Sequence, residues 1–252
     1  MVRWVYSVDI EGVDMGTFIG FLMIILIASI LQTSTGFGFS IMATPFLLLL
    51  FDPREAIQIN LILSLVISCA LISKIKKDVD WNVFKRFVIG SMVGLPVGII
   101  IFRIMNMTYL KLGVGFLIIC LTFLLVLNFR MKQTRNRDFF VGGFSGIFTT
   151  SIGMPGPPLL LYFSGTNTEK ETLRSTTLAF YLFIYLASLV LQVLFAGTTK
   201  EIWFSSLKAL PIVVIGLILG QVIFKWINQR MFQLLTYILL FISGGYLLYQ
   251  QF

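Results

Sequence analysis

The sequence predicts an all-α polytopic membrane protein. Its 252 residues are 58% hydrophobic and only 12% charged, and the mean hydropathy is +0.95, which is far from the average of soluble domains. The apolar runs are continuous and lack the period of two that barrel strands show, so helices are the elements that can satisfy this backbone in lipid. We expect one transmembrane domain over residues 1–252.

The apolar runs divide the chain into ten segments, and crossing a hydrocarbon core takes about 20 helical residues. In chain order the segments are residues 15–31, 38–51, 56–73, 82–102, 109–128, 139–151, 157–164, 172–196, 203–224 and 231–250. A basic linker at residues 129–138, "FRMKQTRNRD", falls near the middle. It separates a first repeat, about residues 15–128, from a second repeat, about residues 139–250.

The two halves resemble each other in sequence. The stretch "VGLPVGIIIFRIMN" (residues 93–106) aligns without a gap with "IGLILGQVIFKWIN" (residues 215–228). The alignment matches Gly94, Gly98, Phe102 and Asn106 with Gly216, Gly220, Phe224 and Asn228. Weak internal repeats of this kind are common in transporters. We interpret the glycines, four residues apart, as positions where helix backbones approach each other closely.

Two polar, glycine-rich breaks interrupt the apolar sequence, one in each half. They are "QTSTGFGFS" (residues 32–40) and "TTSIGMPGPP" (residues 149–158). Irregular backbone at membrane depth is tolerated where it is buried in protein or lines a wet cavity. The alternative interpretation is an ordinary kink whose backbone groups are satisfied by neighbouring hydroxyls.

Each break is followed by a short apolar helix. The first of these helices is predicted to start at about Phe39, and the second has Pro157 or Pro158 in its first turn, where the missing proline N–H is no loss. A helix N-terminus carries about half a positive charge and unpaired N–H groups. Two such ends meeting near the midplane would attract an anion without any charged side chain.

The number of crossings decides how the halves are related. If each break is the tip of a hairpin, each half is a broken or re-entrant hairpin plus three transmembrane helices, and the halves are inverted. Of the 19 basic residues, 13 then face one side. If each broken segment crosses once, the halves are parallel and the division is 12 to seven.

We favour the inverted arrangement, because one helix over residues 15–51 would be about 55 Å long. The positive-inside rule then makes the basic side cytoplasmic and puts both termini outside.

The candidate substrate-binding residues come from the two breaks and from the helices that follow the hairpins. They are Gln32, Thr33, Ser34, Thr35, Gly36, Phe37, Gly38, Asn60, Thr149, Thr150, Ser151, Gly153, Pro155, Gly156, Arg174 and Thr176. Asn60 shares a helix face with Ser64 and Ser68, and polar residues in such positions also join helices to each other. Arg174 either counters the charge of an anion or extends its side chain to the cytoplasmic interface.

The charged and nucleophilic residues argue against other classes of protein. The chain has no histidine, and its 11 acidic residues fall in predicted loops or within a turn of one, so neither an embedded hydrolase nor a buried proton relay is expected. We expect no catalytic residues, no metal site and no cofactor. Cys69 and Cys120 lie in apolar runs and are interpreted as small hydrophobes without a disulfide. The net charge of +8 is interpreted as setting orientation, not as binding nucleic acid.

Both breaks lie in motifs that resemble a known family. The stretch "GFGFSIMATPFLLLLFDPREAIQIN" combines a glycine-rich turn, Pro45 about a turn and a half later, and Pro53 and Ala56 opening the next helix. It resembles the first-half motif of the TauE/SafE sulfite exporter family, also grouped with toluene sulfonate uptake permeases. The stretch "GGFSGIFTTSIGMPGPPLLLYF" resembles the second-half motif. The resemblance covers essentially the full chain, with Phe37 and Phe39 where glycine is typical.

The resemblance implies a bacterial transporter that exports small sulfur-containing anions such as sulfite or organosulfonates. We therefore expect a secondary transporter in the cytoplasmic (inner) membrane that holds its substrate between the two interrupted helices near the midplane. The expected partners are a small anion and the lipid bilayer, with a homodimer left open. An anion channel and a transporter of another small organic anion, such as a carboxylate, remain alternatives.

Overall fold

Every regular element is a helix in the computed structural model, which describes residues 15–104, 133–164, 166 and 168–226, with isolated positions between 109 and 123 and between 231 and 241. Within the continuous ranges the helices are α1 (Met15–Thr35), α2 (Phe39–Leu50), α3 (Pro53–Ile75), a 3-10 turn (Lys76–Asp78), α4 (Trp81–Ile104), α5 (Arg135–Ile152), α6 (Gly156–Ser164), α7 (Lys170–Ala196) and α8 (Lys200–Trp226).

Five of these helices, α1, α3, α4, α7 and α8, are long and apolar enough to cross a membrane. The predicted fold class, an all-α polytopic membrane protein, is confirmed at this level. The predicted segments at residues 109–128 and 231–250 lie largely outside the described residues.

The helices extend further into both breaks than the sequence indicated. Residues 32–35 form the last turn of α1 and residues 149–152 the last turn of α5, so the non-helical segments shrink to residues 36–38 and 153–155. The predicted end of the first apolar segment at residue 31 was therefore four residues short of the end of α1, whereas the predicted ends of segments 139–151 and 157–164 lie within one residue of the observed helix ends. The predicted start at Phe39 is confirmed, and α6 starts at Gly156 with Pro157 and Pro158 in its first turn.

Each break is the tip of a helical hairpin. α2 returns beside α1, so that the ring of Phe51, just after α2, lies 5.3 Å from the ring of Phe21 near the start of α1. α6 returns beside α5, and the Tyr162 hydroxyl of α6 donates to the Asp138 carboxylate near the start of α5. These contacts are the ones expected of the hairpin form, and the inverted arrangement of the halves stays a prediction.

The long helices define two ends of the bundle. α3 begins beside the loop before α8, where Gln58 Nε2 donates to the Gly197 carbonyl at 2.8 Å. α3 ends beside the last turns of α8, where Lys74 Nζ donates to Gln221 Oε1 at 2.9 Å. We call this second end the basic end, because it carries Lys74, Lys76, Lys77, Lys85, Arg86, Arg135, Arg137, Lys170, Arg174 and Lys225.

Glycines bring α4 and α5 into backbone contact. A Cβ atom on Gly94 would lie 2.0 Å from the Gly143 carbonyl oxygen, and one on Gly98 would lie 2.6 Å from the Ile147 carbonyl oxygen. Gly94 and Gly98 are four residues apart on α4, and their partners on α5, Gly143 and Ile147, are four apart in the same order. The two helices therefore run parallel. The predicted packing role of these glycines is confirmed.

Glycines also bring α8 into close contact with α1. A Cβ atom on Gly216 would lie 2.4 Å from Ser29 Cβ, and one on Gly220 would lie 2.6 Å from Thr33 Cβ. α1 and α8 therefore also run parallel. Since α8 ends and α4 begins at the basic end, α1 runs toward that end and α5 runs away from it.

A buried carboxylate ties α5 to α4 and α6. Asp138 is fully buried in the first turn of α5. It accepts a hydrogen bond from Arg86 Nη1 of α4 at 2.9 Å and another from the Tyr162 hydroxyl of α6. A buried charge is costly unless it is paired in this way. The sequence placed this acid beside a loop and gave no sign of its burial.

Replacing Gly94 with alanine should destabilise the protein, because the added methyl group would collide with the Gly143 carbonyl oxygen and force α4 away from α5. Overpacking of this kind costs about 1–3 kcal/mol. The measurement is the thermal unfolding midpoint of the purified protein in detergent. Gly20→Ala is the matched control, since a Cβ atom at that helical position meets nothing within 4 Å and alanine favours the helix. Equal midpoints for the two variants would contradict the close approach of α4 and α5.

Candidate functional site

The starts of the two short helices lie against each other inside the bundle. A Cβ atom on Gly156, the first residue of α6, would lie 2.9 Å from Ile41 Cδ1 in the first turn of α2. The Tyr181 hydroxyl of α7 lies 3.1 Å from this Cβ position on Gly156. All sixteen candidate residues from the sequence are buried. The structure therefore brings the two breaks together in a region closed off from solvent.

The first break is a tight turn built on two glycines. Gly36 and Gly38 have φ angles of +86° and +126°, which are favourable for glycine and strained for other residues. Thr35 closes the turn, because its hydroxyl accepts from the Phe37 N–H at 3.2 Å and donates to the Leu31 carbonyl at 2.6 Å. The Thr35 side chain is thus engaged by its own turn.

Other candidate hydroxyls also bond to their own helices. Ser34 Oγ donates to the Ile30 carbonyl and Ser151 Oγ donates to the Ile147 carbonyl, both at 2.7 Å. Bonding to a carbonyl four residues earlier is how serine and threonine are accommodated within a helix. This explains why the polar residues before each glycine continue the helix.

The second break begins with a glycine cap at the end of α5. Gly153 is left-handed, with φ at +73°, and its N–H donates to the Thr149 carbonyl at 2.8 Å. The Met154 N–H donates to the Phe148 carbonyl at 3.2 Å. This is a common way to end a helix, and it uses the two N–H groups that would otherwise point into the break.

Each hairpin tip is held by a helix from the other half of the chain. Arg174 Nε of α7 donates to the Thr33 carbonyl at 2.8 Å, at the end of α1. Asn60 Nδ2 of α3 donates to the Gly153 carbonyl at 2.7 Å, at the end of α5. Both bonds are buried and satisfy carbonyls at a helix C-terminus, which otherwise lack an intrahelical partner.

Arg174 packs inside the bundle. Arg174 is 8% exposed. Its guanidinium carbon lies 4.2 Å from the centroid of the Phe224 ring, which is within the range of a cation–π contact. Extension of its side chain to the cytoplasmic interface stays a prediction, because Arg174 also belongs to the basic end. A role in countering an anion stays a prediction.

The Thr176 side chain makes its hydrogen bond with the segment before α4 and not with a hairpin tip. Its hydroxyl accepts from the Asp80 N–H at 2.9 Å, just before α4 begins at the basic end. Thr150, by contrast, lies in the second hairpin, where its hydroxyl pairs with that of Ser188 at 2.8 Å. Its carbonyl accepts from Gln192 Nε2, also at 2.8 Å.

The two short helices differ in the backbone donors they offer. α2 begins with Phe39, Ser40 and Ile41, all of which have an N–H. Its N-cap residue is Gly38, and no side chain makes a capping hydrogen bond there. α6 begins with Gly156, Pro157 and Pro158, and proline has no N–H. The start of α6 thus keeps its share of the helix dipole but has one N–H among its first three residues.

Sequence reasoning missed two polar side chains at this site. Tyr181 and Tyr185 are fully buried on α7, and the Tyr185 hydroxyl donates to Ser40 Oγ in the first turn of α2 at 3.4 Å. Tyrosines in an apolar helix are usually core residues, and only their spacing of four marks a shared face. Ser68 joins helices as predicted, since its Oγ accepts from Gln32 Nε2 at 3.3 Å. Gln32 Nε2 also donates to the backbone carbonyl of Ser64 at 3.1 Å.

Several buried polar atoms at these contacts have no protein partner. In the described part of the chain they include Gln32 Oε1, Thr33 Oγ1, Asn60 Oδ1, Ser64 Oγ and the Tyr181 hydroxyl. Buried polar atoms in native proteins nearly always find a partner. Of these atoms, the Tyr181 hydroxyl lies beside Gly156 at the start of α6.

Comparison with known proteins identifies a family and a named relative that the chain is similar to. The model of the family described as sulfite exporter TauE/SafE matches residues 21–247. A probable sulfite/organosulfonate exporter TauE from Cupriavidus necator is 25% identical over 203 residues, which covers 75% of this chain and 77% of that protein. No solved structure matches the chain.

Proposed function

The chain belongs to the sulfite exporter TauE/SafE family, and from that membership we propose that it is a secondary transporter that exports a small sulfur-containing anion. The substrate class is sulfite or an organosulfonate, which is also what the name of the Cupriavidus necator relative describes. The anion sits between the starts of α2 and α6, near the middle of the bundle.

The observation that carries this proposal is the contact between two buried helix N-termini. Gly156 of α6 lies against Ile41 of α2. Each helix end contributes about half a positive charge, and both act on the same small volume. Inside a bundle the dielectric constant is low, so this field acts on an anion more strongly than it would at a surface. A small anion is what such a site attracts.

We also propose that the two halves are inverted repeats that rock around this site. Four features support the proposal. Gly36 and Gly153 both adopt positive φ at the hairpin tips, α4 packs on α5 as α8 packs on α1, and α1 and α5 run in opposite directions. The crossed hydrogen bonds from Arg174 and Asn60 supply the fourth feature, since each half steadies the tip of the other.

We propose that the protein lies in the cytoplasmic membrane with the basic end inside. The positive-inside rule favours that orientation, because the described lysines and arginines at that end outnumber those at the other. Both chain termini then face the extracytoplasmic side, although the terminal residues lie outside the described part of the chain. A homodimer stays open.

Substitutions at the hairpin tips should slow transport. Alanine at Gly36 or Gly153 would be strained by its positive φ, and its methyl group would lie 2.8 Å from Arg174 Cα or from Asn60 Nδ2. Each variant should move the start of the following short helix and slow the efflux of sulfite from loaded proteoliposomes about tenfold or more, which corresponds to about 1.4 kcal/mol.

Gly197→Ala is the matched control for this experiment. Gly197 has a similar φ of +80°, but a Cβ atom there meets nothing within 4 Å. It should carry the backbone strain alone and keep its efflux near the wild-type rate. Unchanged efflux in both tip variants, with all proteins folded by size-exclusion chromatography, would contradict the site. Efflux that neither saturates nor responds to sulfite on the opposite side would favour the channel.

Cysteine labelling should establish the orientation. In a background with Cys69 and Cys120 replaced by serine, we introduce Lys77→Cys at the basic end and Thr198→Cys at the other end, both at exposed positions. A membrane-impermeant maleimide added to intact cells should label Cys at position 198 and reach position 77 only after permeabilisation. The reverse pattern would contradict the proposed orientation.

A further inference from the structure

The Tyr181 hydroxyl is aimed at the start of α6 and has no protein partner. The residue is fully buried, its hydroxyl oxygen makes no hydrogen bond, and it lies 3.1 Å from the point where a Cβ atom on Gly156 would stand. Leaving a buried hydroxyl unpaired is unfavourable. Something other than protein is therefore expected to bond with it at some stage of the protein's cycle.

The start of α6 is short of donors in the place where this hydroxyl points. Of its first three residues only Gly156 has an N–H. The preceding N–H groups of Gly153 and Met154 are used to cap α5, and Pro155 has none. The dipole of α6 attracts an anion, but the backbone can offer few hydrogen bonds to it. A tyrosine O–H supplies a donor at this point.

The neighbouring tyrosine makes a useful comparison. Tyr185 lies one turn further along α7, and its ring centroid is 5.0 Å from that of Tyr181. Its hydroxyl already donates to Ser40 Oγ at the start of α2. One helix thus presents a hydroxyl to each helix start, and only the hydroxyl at the proline-rich start is unpaired.

We propose that the Tyr181 hydroxyl, together with the Gly156 N–H, binds one oxygen of the transported anion. The inference rests on the proposed function and adds to it a substrate-binding residue at α6. It also specifies the ligand chemistry: the anion must present an oxygen that can accept a hydrogen bond, as the oxygens of sulfite and sulfonate groups do.

The test compares Tyr181→Phe with Tyr185→Phe in the full-length protein purified in detergent. Two quantities are measured for each variant: the unfolding temperature without substrate, and the dissociation constant for sulfite. Tyr181→Phe removes an unpaired hydroxyl, so its substrate-free unfolding temperature should equal or exceed that of the wild type. Its sulfite dissociation constant should rise about tenfold or more, as expected on losing a hydrogen bond to a charged oxygen.

Tyr185→Phe should show the opposite combination. It breaks an existing buried hydrogen bond, so its unfolding temperature should fall, while its sulfite affinity should change less than that of Tyr181→Phe. Wild-type affinity in Tyr181→Phe, or a fall in its substrate-free unfolding temperature equal to that of Tyr185→Phe, would overturn the inference. Failure of the wild-type protein to bind sulfite or any organosulfonate would instead overturn the proposed function beneath it.

Discussion

The structure depends on burying two helix N-termini against each other in the interior of a membrane protein. A helix start exposes N–H groups and a partial positive charge, and lipid cannot compensate either. Both starts are therefore enclosed by protein, with Gly156 against Ile41 and two tyrosines of α7 alongside. The arrangement is stable only if the surrounding helices hold the hairpin tips in position, and the rest of the fold can be understood as meeting that requirement.

Two kinds of contact hold the tips. Glycines on α4 and α8 allow these helices to lie against α5 and α1, which form the first arms of the two hairpins. Arg174 and Asn60 then bond to carbonyls at the ends of α1 and α5, each from a helix in the other half. Because the support is crossed, any motion of one half against the other changes the geometry of both tips. That property suits a transporter whose halves rock around a central site.

Much of this could be predicted from the sequence, because lipid allows few solutions. Continuous apolar runs required helices, and the glycines of each break marked the turns, so the start of α2 at Phe39 was correct. The predicted end of the first segment at residue 31 was wrong, since a serine such as Ser34 can donate its hydroxyl to a helix carbonyl and remain helical. The roles of Tyr181 and Asp138 could not be predicted from the sequence, because they depend on residues that are distant in the chain. Tyr181 lies close to Gly156. Asp138 pairs with Arg86 and Tyr162.

The most direct measurement of the central claim is a density map of the protein with selenite, in which the selenium of this sulfite analogue can be located by its anomalous scattering. The account predicts a selenium peak between the starts of α2 and α6, with one selenite oxygen within hydrogen-bond distance of the Tyr181 hydroxyl. Selenium bound only at the basic end, or no ordered selenium between the hairpin tips in a protein that transports selenite, would contradict it.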